Sequence, residues 1–180
     1  MKLITRGLMV LVSFLLVACG TLSNSTVGAH NEKVAGLEIA ETVKTKELYG
    51  AWGATEDEAI EIFYLALFLP NHSGLNYMTM NKKNGKPESE HFEYYTWEFN
   101  EKNKIFTMKS FKRKSSEGGG PEKVEVIKEV KDYKTTVYKD GKNILAIRFT
   151  RPGESFTFLR LDNETYQKMV KSVPGLPSLK

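Results

Sequence analysis

The chain has 180 residues, a formal net charge of +4, 41% hydrophobic residues and a single cysteine. This length supports one domain with a hydrophobic core but not comfortably two. The small net charge gives no basis for nucleic-acid binding, which requires clustered Lys and Arg on one face. A single cysteine excludes an internal disulfide framework, so the fold has to be stable through its core.

The chain begins with a basic segment followed by an apolar run. Lys2 and Arg6 precede the apolar residues from Leu8 to Val17. This run is too short for a stable membrane-spanning helix, which needs roughly 20 apolar residues. A basic start, a short apolar run and small residues at its end are typical of a secretory signal. The sequence therefore predicts a signal peptide over residues 1–18.

Leu16-Val17-Ala18-Cys19 resembles the lipobox of bacterial lipoproteins. The resemblance implies cleavage before Cys19 and lipidation of its thiol and its new amino terminus. The alternative is an ordinary signal peptide with a cysteine there by chance. In lipoproteins of bacteria with two membranes, an aspartate after the cysteine signals retention in the inner membrane, but Gly20 stands there. The resemblance thus implies an outer-membrane anchor facing the periplasm, or, in other bacteria, the outer face of the cell membrane.

Residues 19–44 are predicted to form the lipidated tether, because they begin with small polar residues. The later part, Val34 to Val43, is either a short helix or a strap against the domain. Removal of Lys2 and Arg6 with the signal lowers the net charge from +4 to +2. With Cys19 acylated, no thiol remains for a metal cluster or a nucleophile.

Residues 45–173 alternate short runs of aromatic and β-branched residues with turn residues, a pattern typical of strands. Helical patterns are missing between these runs, which favours an antiparallel up-and-down meander over parallel βαβ units. Closure of the meander would remove its exposed edges. We therefore predict an all-β fold, a closed lipocalin-like barrel of 8–9 strands. The predicted strands are 48–53, 60–69, 74–80, 92–100, 104–112, 124–130, 133–139, 144–150 and 155–161.

Two features are predicted around the last strands. Asp140-Gly141 is the strongest two-residue hairpin signal, because both central positions of such a turn need positive φ. Asn163 is the expected cap of a C-terminal helix that ends at Pro174 or Gly175. Residues 174–180 are expected to form a loose tail.

Gly50-Ala51-Trp52 resembles the G-x-W signature of lipocalins and their calycin relatives. The resemblance implies that Trp52 closes one barrel end and that an arginine of the last strand, here Arg160, packs across its ring. The second family motif, of the T-D-Y type, is missing, because Asp132-Tyr133-Lys134 lacks the flanking pattern. The alternative is that Trp52 is an ordinary core residue of another β-fold.

An eight-stranded barrel has an interior just wide enough for side chains or one small ligand. Inward-facing aromatic residues would line an apolar pocket in which tyrosine hydroxyls orient a ligand. We expect Tyr64, Tyr94, Trp97 and Phe158 to line this lumen. The alternative is that the aromatic residues simply fill the barrel as core.

The sequence predicts no catalytic site, metal site or cofactor. His30, His72 and His91 lack metal-ligand spacing and are expected at the surface or in turns. No nucleophile elbow is present, and the glycine-rich segment 116–121 lacks the ending of a phosphate-binding loop. We therefore do not expect an enzyme.

Two functions from different classes remain. The first is a membrane-anchored lipoprotein whose barrel binds a small hydrophobic ligand. The second is a protein-interaction lipoprotein (an assembly or accessory factor, an inhibitor or an immunity protein) whose barrel interior is filled. The basic cluster Lys109, Lys112, Arg113 and Lys114 is expected to be a charged rim, with contact to anionic lipid headgroups as the alternative.

Overall fold

The computed structural model describes residues 34–56, 61–81 and 87–179. The predicted signal peptide, Cys19 and the first part of the tether lie outside the described residues. Strands make up most of the described chain, as the aromatic and β-branched runs predicted.

Eight strands form a closed antiparallel barrel, which confirms the predicted meander. Each strand from β2 to β8 pairs with the next one, and β9 pairs back with β2 to close the ring. A 3₁₀ turn, Thr45–Leu48, precedes the barrel. The elements are β1 (Glu38–Ile39), β2 (Gly50–Glu56), β3 (Glu61–Phe68), β4 (Ser73–Asn81), β5 (Pro87–Asn100), β6 (Ile105–Glu117), β7 (Lys123–Asp140), β8 (Asn143–Arg151), β9 (Glu154–Arg160) and the helix α1 (Asn163–Ser172).

The predicted strands 124–130 and 133–139 are a single strand, β7. Lys131 and Asp132 suggested a break in the sequence, but both are accommodated within the sheet. Lys131 forms an ion pair with Glu129 (3.1 Å), and Asp132 accepts a hydrogen bond from Thr107 of β6 (2.6 Å). One long strand, β7, thus lies between β6 and β8 and pairs with both.

The segment before β2 is a strap across one end of the barrel, which is the second of the two predicted alternatives. Its backbone joins β7 through the amide of Ala40, which donates to the carbonyl of Val137 (2.9 Å). Lys104 donates to the carbonyl of Ala40 from the other side (2.7 Å). Val43 and Leu48 of this segment are buried in the barrel core. We call this end the closed end, and the opposite end the open end.

Helix α1 covers the outer face of the barrel. Its Tyr166 is buried against Leu65 and Leu67 of β3, so this strand is apolar on both faces. The helix is capped by Asp162, one residue before the predicted Asn163, because the Asp162 carboxylate accepts from the amide of Thr165 (2.8 Å).

The C-terminal tail packs against the barrel instead of being loose. Leu176 is buried in the cluster beneath α1, and the hydroxyl of Tyr166 donates to the carbonyl of Pro177. Burial of Leu176 removes apolar surface from water, which stabilises this arrangement.

Candidate functional site

The barrel contains a partly open cavity of about 790 Å³ that lies towards the open end. Its lining divides into an apolar part and a charged part. The apolar part includes Ala66, Phe68, Phe106, Met108, Phe149, Phe156 and Phe158. The charged part comprises Glu93, Arg113, Lys114, Lys123, Glu125, Lys131 and Glu154.

An aromatic cluster forms the floor of the cavity on the side of the closed end. The rings of Phe68 and Phe106 are 5.0 Å apart, and Phe149 lies 5.0 Å from Phe106. Trp97 stacks under Phe106 at 5.5 Å and donates from Nε1 to the carbonyl of Ser73 (3.0 Å). Tilted and offset ring pairs of this kind stabilise a core beyond the area that they bury.

Tyr95 reaches across β4 because Gly74 has no side chain. A Cβ on Gly74 would lie 2.0 Å from the ring of Tyr95. The Tyr95 hydroxyl lies within hydrogen-bond distance of two acceptors, the carbonyl of Leu67 (3.3 Å) and the side-chain amide oxygen of Asn76 (3.0 Å). Burial raises the pKa of Tyr95 well above its ordinary value, so this hydroxyl remains a donor at neutral pH.

Four charged residues, three of which line the cavity, form a connected network on the wall near the open end. Arg113 donates to both carboxylate oxygens of Glu129 (3.1 and 2.7 Å) and to Glu93 (3.0 Å). Lys131 forms an ion pair with Glu129 (3.1 Å). Two acids and two bases balance, so the network adds polarity without net charge. The hydrogen bond from Arg113, together with that from Lys131, lowers the pKa of Glu129.

Tyr133 lies where the apolar floor meets the charged wall. Its ring packs edge-on against Phe149 at 6.0 Å, and the guanidinium of Arg151 lies 5.6 Å from its centroid. Burial raises the pKa of Tyr133 to about 12. Its hydroxyl is therefore protonated at neutral pH and able to donate a hydrogen bond into the cavity.

The closed end carries the arrangement that the resemblance implied. The guanidinium of Arg160 lies 4.2 Å from the centroid of the Trp52 ring. Arg160 also donates to the carbonyls of Glu47 and Tyr49, the latter at 2.9 Å. Trp52 is fully buried and donates to the carbonyl of Leu48 (2.8 Å). These contacts join the first and last barrel strands.

The structure separates the four residues that were expected in the lumen. Tyr64 and Phe158 line the cavity. Trp97 faces inward but is buried beneath the floor. Tyr94 lies on the outer face instead, where it packs with the cluster beneath α1 and stacks on Phe92 at 6.4 Å. Neighbouring residues of a strand point to opposite faces, so Tyr95 and not Tyr94 is the inward tyrosine.

The sequence reasoning missed the charged wall. Arg113 was expected in an exposed rim, whereas it bridges two carboxylates on the inner face. The alternate spacing of Glu129, Lys131 and Tyr133 was the available signal, because such residues share one face of a strand. The break predicted between two strands hid this spacing. His91 was expected at the surface, but it also lines the cavity.

Comparison of the chain with protein-family models, with curated proteins and with solved structures found no match. Within the described ranges, no helix has the length and apolar character that a membrane span requires. Among these same residues, no three His, Cys, Asp or Glu side chains are grouped in a way that would hold a metal ion.

Proposed function

We propose that this chain is a membrane-anchored lipoprotein whose barrel binds a small hydrophobic molecule. The cavity of about 790 Å³ carries the proposal, because small-molecule sites fall in the range of roughly 300–1,000 Å³. Such sites combine apolar and aromatic side chains with polar groups that orient the ligand, and this lining contains both, although its charged part is large.

The division of the lining supports an amphipathic ligand. Its apolar part would pack among Phe106, Phe149 and Phe158 on the inner side. Its polar end would lie at the open end, next to Arg113 and Lys131. The hydroxyl of Tyr133, between the two parts, would orient the ligand by donating a hydrogen bond.

The lipobox supports an anchor at Cys19, in the outer membrane if the organism has two membranes. The strap begins at Val34, where the described part of the tether starts, and lies at the closed end of the barrel. The chain from Cys19 to Val34 spans at most about 50 Å when extended. The cavity would then open away from the end at which the anchor is attached. Incorporation of radiolabelled palmitate into the wild-type chain, and its loss in Cys19→Ser, tests the anchor.

Titration with N-phenyl-1-naphthylamine, a neutral apolar fluorophore, tests the cavity. The protein would be the mature chain with Cys19→Ser. Phe156 and Phe111 form a matched pair for substitution, because the two side chains are similarly exposed (37% and 48%). Only Phe156 lines the cavity. We expect Phe156→Ala to weaken binding roughly tenfold, since full burial of a phenylalanine contributes about 1.5–3 kcal/mol and only the exposed part of this ring is left to be covered by the probe. Phe111→Ala should leave binding unchanged. Equal losses in both variants would contradict binding in the cavity.

The alternative, a protein-interaction lipoprotein, is favoured by one observation. Val124, Val126 and Val130 of β7 are exposed apolar side chains close together on one strand, and such clusters mark interaction surfaces. A chain that binds no apolar fluorophore would shift the proposal to this alternative.

A further inference from the structure

Part of β7 has a strand partner on one side only, within the part of the chain that the structure describes. β6 pairs with β7 between Lys123 and Lys134, with a register shift that leaves Ile127 and Lys128 without a directly opposed partner, whereas β8 pairs with β7 only from Lys134 to Asp140. Residues 123–133 thus form an edge at the open end, which we call the free edge. Half of the backbone N–H and C=O groups of an edge point away from the sheet and are able to pair with another strand.

The free edge combines exposed apolar side chains with charges of both signs. Val124, Val126 and Val130 are 57%, 82% and 67% exposed. Charged side chains protect an edge against indiscriminate pairing. The order of the charges then decides which strand the edge accepts. The charged residues are Lys123, Glu125, Lys128, Glu129, Lys131 and Asp132.

We propose that the free edge pairs antiparallel with the free edge of a second copy of this chain, about a two-fold axis at Lys128. Lys128 is the middle residue of the segment, so this register overlaps all of it. It places Glu125 of each copy opposite Lys131 of the other, and Val126 opposite Val130. Opposed pairs of these types stabilise antiparallel strands. This register also places Lys128 of one copy opposite Lys128 of the other. Lys128 is exposed, so the long side chains can keep their charged ends in water.

Neighbouring registers are disfavoured by charge. An axis at Ile127 would place Glu125 opposite Glu129 and Lys123 opposite Lys131, and each repulsion would occur twice by symmetry. An axis at Glu129 would place the Glu129 carboxylates of the two copies opposite each other. Like charges directly opposite each other destabilise a strand pair. The charge order therefore favours the register that also overlaps the free edge completely.

Disulfide cross-linking of the full chain in cells that export it tests this pairing. Opposed Cα atoms of antiparallel strands lie about 4.5–5.5 Å apart, within the range of a disulfide. Lys128→Cys should therefore run at twice the chain mass on a non-reducing gel. Val124→Cys is the matched control on the same exposed strand, because the introduced thiols would be separated by eight residues, or about 26 Å. The wild type, which has only Cys19, gives the background.

Three results would overturn the proposal. They are absence of a dimer with Lys128→Cys, equal cross-linking of Lys128→Cys and Val124→Cys, and a Lys128→Cys product with a protein of another mass. The last result would place a different partner on the free edge.

A charge exchange tests the register separately. Glu125→Lys would place a lysine at position 125 of each copy opposite Lys131 of the other. This repulsion should weaken dimerisation about tenfold, measured by sedimentation equilibrium. The double variant Glu125→Lys/Lys131→Glu restores opposite charges and should recover most of the affinity. A double variant no stronger than Glu125→Lys, or an unaffected single variant, would exclude this register.

Discussion

Arg160 in the last barrel strand lies across the ring of Trp52 in the first, with its guanidinium carbon 4.2 Å from the ring centroid. The two residues are also directly paired in the β2–β9 ladder. Because Arg160 donates to the carbonyls of Glu47 and Tyr49, it joins the ladder to the 3₁₀ turn at the closed end. One side chain thus holds together the seam of the barrel and its end.

Replacement of Arg160 should destabilise the barrel strongly. We expect Arg160→Ala to lower the free energy of unfolding by about 2–4 kcal/mol, because the cation–π contact is lost and two carbonyls lose their donor. Arg160→Lys should recover only part of this, because an ammonium lacks the planar fork of donors. Urea unfolding measures both. The exposed Lys134→Ala is the control and should change stability by less than about 0.5 kcal/mol. An Arg160→Ala variant as stable as the control would contradict this account of the seam.

Gly74 should not tolerate a side chain. We expect Gly74→Ala to lower the free energy of unfolding by about 3 kcal/mol, because its Cβ would lie 2.0 Å from the ring of Tyr95. In Gly74→Ala/Tyr95→Ala the clash is removed, so the two single effects should not add. Thermal or urea unfolding of the four proteins in this cycle measures the coupling. Simple additivity would show that the ring is not the obstacle.

The strand pattern predicted the barrel, but it did not predict which face of β5 points inward. Phe92 and Tyr94 alternate with Tyr95 and Trp97, so both faces of this strand are apolar. The outer face is apolar because it belongs to the cluster beneath α1, and that contact depends on residues far along the chain. Tyr94 was therefore assigned to the lumen, whereas it packs outside.

The ion-pair partners within the charged wall were unpredictable for a related reason, although the spacing of Glu129, Lys131 and Tyr133 on one strand was visible in the sequence. An ion network inside a barrel depends on pairing between strands, which a single sequence does not specify. Arg113 of β6 meets Glu129 of β7 and Glu93 of β5 only when the three strands are in register. By contrast, the contact between Trp52 and Arg160 could be predicted from the sequence, because the resemblance named both positions.

Ser110 carries a buried hydroxyl for which the described residues provide no hydrogen-bond partner. It faces inward between Tyr95 and Glu129 of the neighbouring strands. We expect Ser110→Ala to raise the free energy of unfolding by about 1 kcal/mol, because an unpaired buried hydroxyl is costly. Urea unfolding is again the measurement, and a loss of stability of similar size would show that the hydroxyl has a partner.

The charged wall should weaken at acidic pH. The pKa of Glu129 is lowered in the folded protein, first by the hydrogen bond from Arg113 and then by that from Lys131. Its contribution to stability is therefore complete above the ordinary pKa of a glutamate and is lost as the pH falls through the lowered value. Because its side chain is 39% exposed, this contribution should stay below about 1 kcal/mol.

Glu129→Gln isolates this contribution. The variant should be less stable than the wild type at pH 7, and the difference should shrink as the pH is lowered from 5 to 3, measured by urea unfolding at each pH. A difference that is constant with pH would contradict the assignment to Glu129.

The proposal that the barrel holds a small hydrophobic molecule is tested most directly by native mass spectrometry of the mature chain with Cys19→Ser, which carries no acyl group. The account predicts a species heavier than the chain by one small molecule, or one that takes up a single N-phenyl-1-naphthylamine when this probe is added. A mass equal to that of the chain alone, unchanged after addition of the probe, would contradict it.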